Sequence, residues 1–275
     1  MPTHLANLSF DFDALSLWIA RGMTTPTPIS RGEFGAVAIP RILSLLEKYD
    51  IKASFFVPGI TIETYPAQVE AIVAAGHEVG HHGWTHVPPA QLNQGEEEAH
   101  LVRANESIER ITGKKARGYR SPSWDLSSET VDLLLKHGFL YDSSMMGHDW
   151  MPYYARTGDV IHDEEPTEFG PETSLIEMPI SWSLDDFPHF EYLRTPQGLF
   201  PGLQNANNVL ENWCDEYTYM TRNADWGLLT YTFHPFVIGR GHRMLMLERL
   251  IQNLLEQGAE FVPLEVGAKA FASRK

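Results

Sequence analysis

Three of the chain's twelve histidines fall within Gly80-His81-His82-Gly83-Trp84-Thr85-His86. His82 and His86, four apart, would share a face if the segment were a helical turn, so both imidazoles could address one cation. Two imidazoles are an incomplete set, because a catalytic zinc-type site takes three protein ligands and keeps a fourth position open. The candidates for the third ligand are Asp11 and Asp13 in Leu8-Ser9-Phe10-Asp11-Phe12-Asp13-Ala14. On a strand, Ser9, Asp11 and Asp13 fall on one side and Phe10 and Phe12 on the other. His81 is the rival to His82, but its spacing of five from His86 leaves the shared face, so His81 and His77 read as core or ligand-orienting histidines.

These groups can meet only if the fold joins distant segments. Leu8 to Phe12 reads as a strand and Arg21 to Gly35, rich in Thr, Pro and Gly, as a long loop. A helix over Ile39 to Tyr49 and a strand over Ala53 to Val57 follow, then a helix from Pro66 to Ala75 and a strand reaching His81. The alternation continues with a helix from Gln94 to Ile111, a strand from Ala116 to Arg120, a helix from Ser127 to His137 and a strand from Phe139 to Asp142. Ser143 to Gln197 is irregular, with Ser174 to Ile180 as its clear strand and aromatics suited to pocket walls. A helix over Asn205 to Asn223, a strand over Leu228 to Phe233, a helix over Met244 to Gln257 and a strand over Glu260 to Val262 complete the pattern.

This order predicts an α/β fold, a distorted (β/α) barrel of about seven strands, forming a single catalytic domain over residues 1–275. In such a barrel chemistry sits at the C-terminal ends of strands. Asp11, Asp13, His82, Arg120 and His234 are all expected there.

The totals narrow the class. A net charge of −15 argues against nucleic acid or an anionic membrane as partner. The lone Cys214 excludes a disulfide framework and a cysteine-based zinc site. The absence of an apolar run of about eighteen residues or a secretory leader pattern leads to the expectation of a soluble, cytoplasmic protein.

In order and spacing, Ser9-Phe10-Asp11-Phe12-Asp13, His82-Gly83-Trp84-Thr85-His86, Arg120-Ser121-Pro122-Ser123-Trp124 and Thr232-Phe233-His234-Pro235 resemble the polysaccharide deacetylase (NodB-homology, carbohydrate esterase family 4) superfamily. Asp11-Phe12-Asp13, Ser30-Arg31-Gly32-Glu33-Phe34-Gly35 and Tyr141-Asp142-Ser143-Ser144 bring it nearest the branch of intracellular peptidoglycan deacetylase-like proteins and cyclic imide hydrolases. The resemblance implies a metal-dependent hydrolase of non-peptide carbon–nitrogen bonds. Asp13, His82 and His86 would hold Zn²⁺ or another divalent transition metal, with Asp11 as general base, His234 as general acid and Arg120 orienting Asp11. Trp124, Asp142 and Trp182 are the expected substrate contacts, and a homo-oligomer, specifically a tetramer, is the expected assembly.

The sequence departs from the wider family in three places. Phe12 separates two aspartates that are usually adjacent, Trp124 stands where Arg-x-Pro-x-Gly has glycine, and Tyr141-Asp142-Ser143-Ser144 replaces Asp-x-x-Asp-Trp. The substrate is either an N-acetylated sugar or a small cyclic imide or ring amide; an inactive carbohydrate-binding module is the third reading. The width of the cleft above the metal separates polymer from small molecule.

Overall fold

The computed structural model describes residues 4–195 and 198–274. Eleven strands are formed among them: β1 (His4–Asp11), β2 (Ser54–Val57), β3 (Glu78–His81), β4 (Gly118–Tyr119), β5 (Tyr141–Asp142), β6 (Tyr153–Arg156), β7 (Glu172–Glu177), β8 (Leu193–Thr195), β9 (Gly198–Phe200), β10 (Gly227–Phe233) and β11 (Glu260–Phe261). The main sheet runs β10-β1-β2-β3-β4-β5-β7-β6, with β11 on β1. Every pairing along it is parallel except β6 with β7. The seven parallel strands of this path, with β11 an eighth beside β1, therefore curl into the expected distorted barrel. The ladder does not close; an isolated Asp185–Thr232 bridge and a hydrogen bond from the Leu228 N–H to the Trp150 carbonyl draw its ends together.

The alternation of β1 explains why it is central. Phe10 stacks with Phe55 of β2 and Phe233 of β10, ring centroids 4.9 and 5.3 Å apart. Burying a phenylalanine there contributes about 1.5–3 kcal/mol. The alternate residues Asn7, Ser9 and Asp11 are buried as well, and hydrogen bonds offset the desolvation of the Asn7 amide nitrogen and the Ser9 hydroxyl. Asn7 donates to Ser54 Oγ and the Val262 carbonyl, and Ser9 to the Tyr231 carbonyl. One face of β1 thus anchors the core and the other begins a polar column leading to Asp11.

Two local expectations are corrected. Much of the segment read as a loop over Arg21 to Gly35 is helical, because Pro26–Lys48 is one helix. Its prolines at 26 and 28 occupy the first turn, where a missing N–H costs nothing. Gly32 is there for close packing, since a Cβ would lie 2.5 Å from the Ala14 carbonyl oxygen beside Asp13. The second correction concerns His82 to His86, which form an irregular loop after β3 and no helical turn. Left-handed backbone at Gly83 (φ 69°) and His86 (φ 60°) folds this loop back. Their four-residue spacing therefore does not act through a shared helical face.

The irregular middle holds more structure than expected: the β6–β7 hairpin, a short helix Asp186–Phe190 and the β8–β9 arm. Its last two residues, 196 and 197, lie outside the described ones. No helix among the described residues is long and apolar enough to cross a membrane.

Candidate metal centre

β1 ends at Asp11, and the chain turns sharply through Asp13 and Ala14 (φ 49°). Ser16 Oγ and Thr61 Oγ1 both donate to the Asp13 carbonyl, at 2.7 and 2.9 Å, which fixes that residue's backbone. Its carboxylate then meets the loop after β3. His82 Nε2 lies 3.3 Å from Asp13 Oδ1 and His86 Nε2 3.3 Å from Asp13 Oδ2. Ligand atoms of these three buried residues all lie within 4.8 Å of one another.

The arrangement fits a cation. Both Asp13 oxygens are buried and have no hydrogen-bond partner among the described residues, so the imidazoles converge on the carboxylate without bonding to it. An orphaned buried carboxylate is costly, and a shared cation removes that cost. Two imidazole nitrogens and a carboxylate oxygen suit Zn²⁺, with Fe, Co or Ni also accommodated. The His82 tautomer agrees: its Nδ1 lies 2.7 Å from the Arg120 carbonyl oxygen, which can only accept. Nδ1 therefore carries the proton and Nε2 presents its lone pair to the centre.

Electrostatics express the same competition between protons and cations. Burial would raise the Asp13 carboxyl, but His86 and His82 outweigh it and hold it below its ordinary range. Burial pushes His82 down, yet Asp11 and Asp13 lift it above its usual value. For His86 burial prevails and the imidazole lies below it. Metal uptake at His82 Nε2 consequently competes with a proton, whereas His86 offers its nitrogen already neutral.

Asp11 and His234 flank the three candidate ligands. Asp11 Oδ1 accepts from Arg120 Nη1 at 2.8 Å, while Oδ2 lies 3.9 Å from His82 Nε2. The buried Arg120 also donates to Ser9 Oγ, Ser143 Oγ and the Ser143 carbonyl, so its orientation is fixed from several sides. His234 Nε2 lies 3.7 Å from Asp13 Oδ2. Its Nδ1 donates to Asp186 Oδ1 at 2.9 Å, and the same oxygen accepts the His234 backbone N–H at 3.0 Å. Burial pushes the His234 imidazole down, but Asp185, Asp186 and Asp13 prevail and raise it to about 10.

The structure thus gathers Asp11, Asp13, His82, His86, Arg120 and His234. His81 instead braces the loop: Nδ1 accepts the Gly83 N–H and Nε2 donates to the Leu101 carbonyl. His77 accepts the Ala53 N–H at the other end of the strands. Trp124 and Trp182 line the cleft and stack on each other, centroids 4.0 Å apart and planes at 25°. Asp142 is not at the cleft. It is fully buried, accepts from Ser144 Oγ and sits beside Glu177, so the expectation that it touches substrate is corrected. Reading the sequence missed Asp185 and Asp186, whose one signal was a pair of adjacent acids within an irregular, aromatic-rich stretch.

With this geometry in view, sequence similarity decides the family. Residues 32–141 match the polysaccharide deacetylase family model. Over 96% of this chain and 94% of the relative, it is 37% identical to the peptidoglycan deacetylase of Helicobacter pylori. The chain belongs to the polysaccharide deacetylase family. The peptidoglycan deacetylase-like protein FGM2 of Gibberella zeae is 29% identical over 96% of this chain and 85% of its own. Among solved structures, a Mycobacterium smegmatis protein assigned to the polysaccharide deacetylases superimposes with a TM-score of 0.87 at 28% identity, covering 99% of this chain and 91% of that one. The PuuE allantoinase shares the fold at a TM-score of 0.76 and 19% identity, covering 99% and 90%. This polysaccharide deacetylase family member thus has a deacetylase-like hydrolase fold with a candidate Asp/His metal site.

Proposed function

We propose that this chain is a divalent-metal-dependent hydrolase of non-peptide carbon–nitrogen bonds, acting on an amide small enough to enter a roofed cleft. The observation that carries the hydrolytic part is the convergence of Asp13, His82 and His86 between a free Asp11 oxygen and the Asp186-bound His234. A divalent cation bound there supplies Lewis-acid activation of the amide carbonyl and of water. Asp11 accepts the proton of the attacking water at Oδ2, because Oδ1 is held by Arg120. His234 delivers a proton from Nε2 to the departing nitrogen, which leaves poorly as an anion, while Asp186 keeps Nδ1 protonated and the ring aligned.

The roof supports a small substrate. The cleft over the centre holds about 60 Å³ and adjoins a wider space of about 460 Å³, so the group that must pass beneath Trp124 is small. Trp124 closes it from left-handed backbone (φ 55°) next to Ser123 (φ 56°). Such a conformation costs a bulky residue about 1–2 kcal/mol and suits the glycine usual at this position. Stacking on Trp182 returns about 0.5–1.5 kcal/mol. Ring amides and cyclic imides fit beneath this roof, whereas the names of the curated relatives favour N-acetylated glycans. Rates on succinimide-type rings and on chitooligosaccharides, measured after chelation and metal reloading, test the reading. Hydrolysis of neither, or equal hydrolysis by chelated protein, removes it. Trp124→Gly is expected to raise kcat/KM for the oligosaccharide relative to the ring about tenfold or more. An unchanged ratio would mean that the roof does not select.

A further inference from the structure

Arg21 follows the short helix Ser16–Ala20 and lies eight residues beyond Asp13. It is the single lysine or arginine, among the described residues, lining the inner cleft. It also lines an outer vestibule of about 460 Å³ that shares His86, Ser123 and Trp124 with that cleft. Arg21 therefore stands at the junction of the two spaces.

Its guanidinium is positioned but not paired. The Cζ atom lies 5.4 Å from the centroid of the Phe187 ring. No hydrogen bond or ion pair engages Arg21 among the described residues. By contrast Arg31 pairs with Glu191, Arg120 with Asp11 and Arg156 with Asp159. Asp125 shares the vestibule and Asp185 the cleft, and neither forms an ion pair with Arg21. With its Cζ over the Phe187 ring and no hydrogen-bonded partner among the described residues, the exposed Arg21 guanidinium keeps its N–H donors available, and a planar fork of this kind can meet a carboxylate in two parallel hydrogen bonds. The chain's charge of −15 would repel an anion, so an anionic substrate needs such a local cation.

We infer that Arg21 is a specificity residue that binds a carboxylate carried by the substrate beside its scissile amide. This rests on the hydrolase reading and narrows its substrate class to amides bearing an anionic carboxylate on the vestibule side. The bland alternative is that Arg21 only offsets the charge of Asp11, Asp13 and Asp185.

Matched substrates separate the two. Dihydroorotate and dihydrouracil are ring amides differing by one carboxylate, and N-acetylmuramic acid and N-acetylglucosamine form the corresponding acetamide pair. With metal-loaded protein, the ratio of kcat/KM for the carboxylate member to that for the neutral member is expected to fall about 10- to 100-fold in Arg21→Met. Arg21→Lys, a point charge without the planar fork, is expected to retain part of it. A ratio unchanged in Arg21→Met overturns the inference, including the case where both members lose rate equally, as charge balancing demands. If the wild type hydrolyses none of the four, the hydrolase reading still stands or falls on the succinimide-type rings and chitooligosaccharides, and calorimetric titration with the four compounds decides the inference separately. Tighter binding of the carboxylate members by wild type than by Arg21→Met upholds it, and equal binding overturns it.

Discussion

Asp13→Ala is expected to abolish stoichiometric divalent-metal binding and to lower kcat/KM at least about a thousandfold, the scale of several kcal/mol of Lewis-acid stabilisation. The substitution removes one of the three proposed ligands, the one whose oxygens are buried without hydrogen-bond partners among the described residues. Metal analysis after equilibrium dialysis reads the first effect. Thermal unfolding gives a readout independent of turnover: wild type gains about 2.7 kcal/mol at metal a hundredfold above Kd, and the variant gains nothing. The chelated proteins should also differ in acid. Asp13 is held below its ordinary 3.8, so its contribution to wild-type stability is present above that pH and is lost as pH falls through the depressed value. The variant has no such contribution to lose. Retained metal and rate in Asp13→Ala would remove Asp13 from the centre.

The residues that a period-two strand projects from one side were legible because alternation is a local property. Ser9 and Asp11 share the polar face of β1, and both meet Arg120, 111 and 109 residues away. The barrel was legible for the same reason, since each helix and strand announces its own period and the order of elements implies a parallel sheet. The His82–His86 pair was found for a reason that does not hold. Spacing suggested a helical face, whereas left-handed Gly83 and His86 fold a loop, a backbone choice that tertiary contacts impose. His82 is nonetheless selected over His81, because β3 ends at His81 and sends that ring to the Leu101 carbonyl.

Burial, unlike periodicity, depends on the whole chain, and there the sequence was weakest. Asp142 stands at a strand end as Asp11 does, yet Ser144 and Glu177 enclose it, and burial pushes its carboxyl up to about 6. Asp185 and Asp186 lie in a stretch without helical or strand period, and the Asp185–Thr232 bridge and the His234–Asp186 hydrogen bonds bring them beside His234. Likewise the glycines at 32 and 35 look like loop residues until the close approach of Ala14 and Phe12 is known. The missing signals share one cause: each is a contact between segments that no local pattern encodes.

His234→Gln is expected to reduce kcat about 10²- to 10⁴-fold, because under the proposed mechanism the leaving nitrogen then departs without its proton donor. The hydrogen-bonded Asp186 makes a sharper test possible. His234 is raised from 6.5 to about 10 although burial pushes it down, since Asp185, Asp186 and Asp13 outweigh that cost. The proton is therefore present at neutral pH, and the stability it confers is complete below 6.5 and lost as pH rises toward 10. Activity that needs this proton falls on the alkaline side. Asp13's share of the pull falls when its carboxylate is neutralised by a cation, leaving Asp185 and Asp186 to hold the proton. Asp186→Asn keeps an oxygen that can accept both His234 N–H groups but removes its charge. The alkaline limb of kcat/KM should then move to lower pH by about one unit or more, with metal content unchanged. Asp186 acts through His234, so the double variant with His234→Gln should show no further loss and no such shift. An alkaline limb that stays in place in Asp186→Asn, or a His234→Gln protein with wild-type kcat, would assign the proton transfer elsewhere.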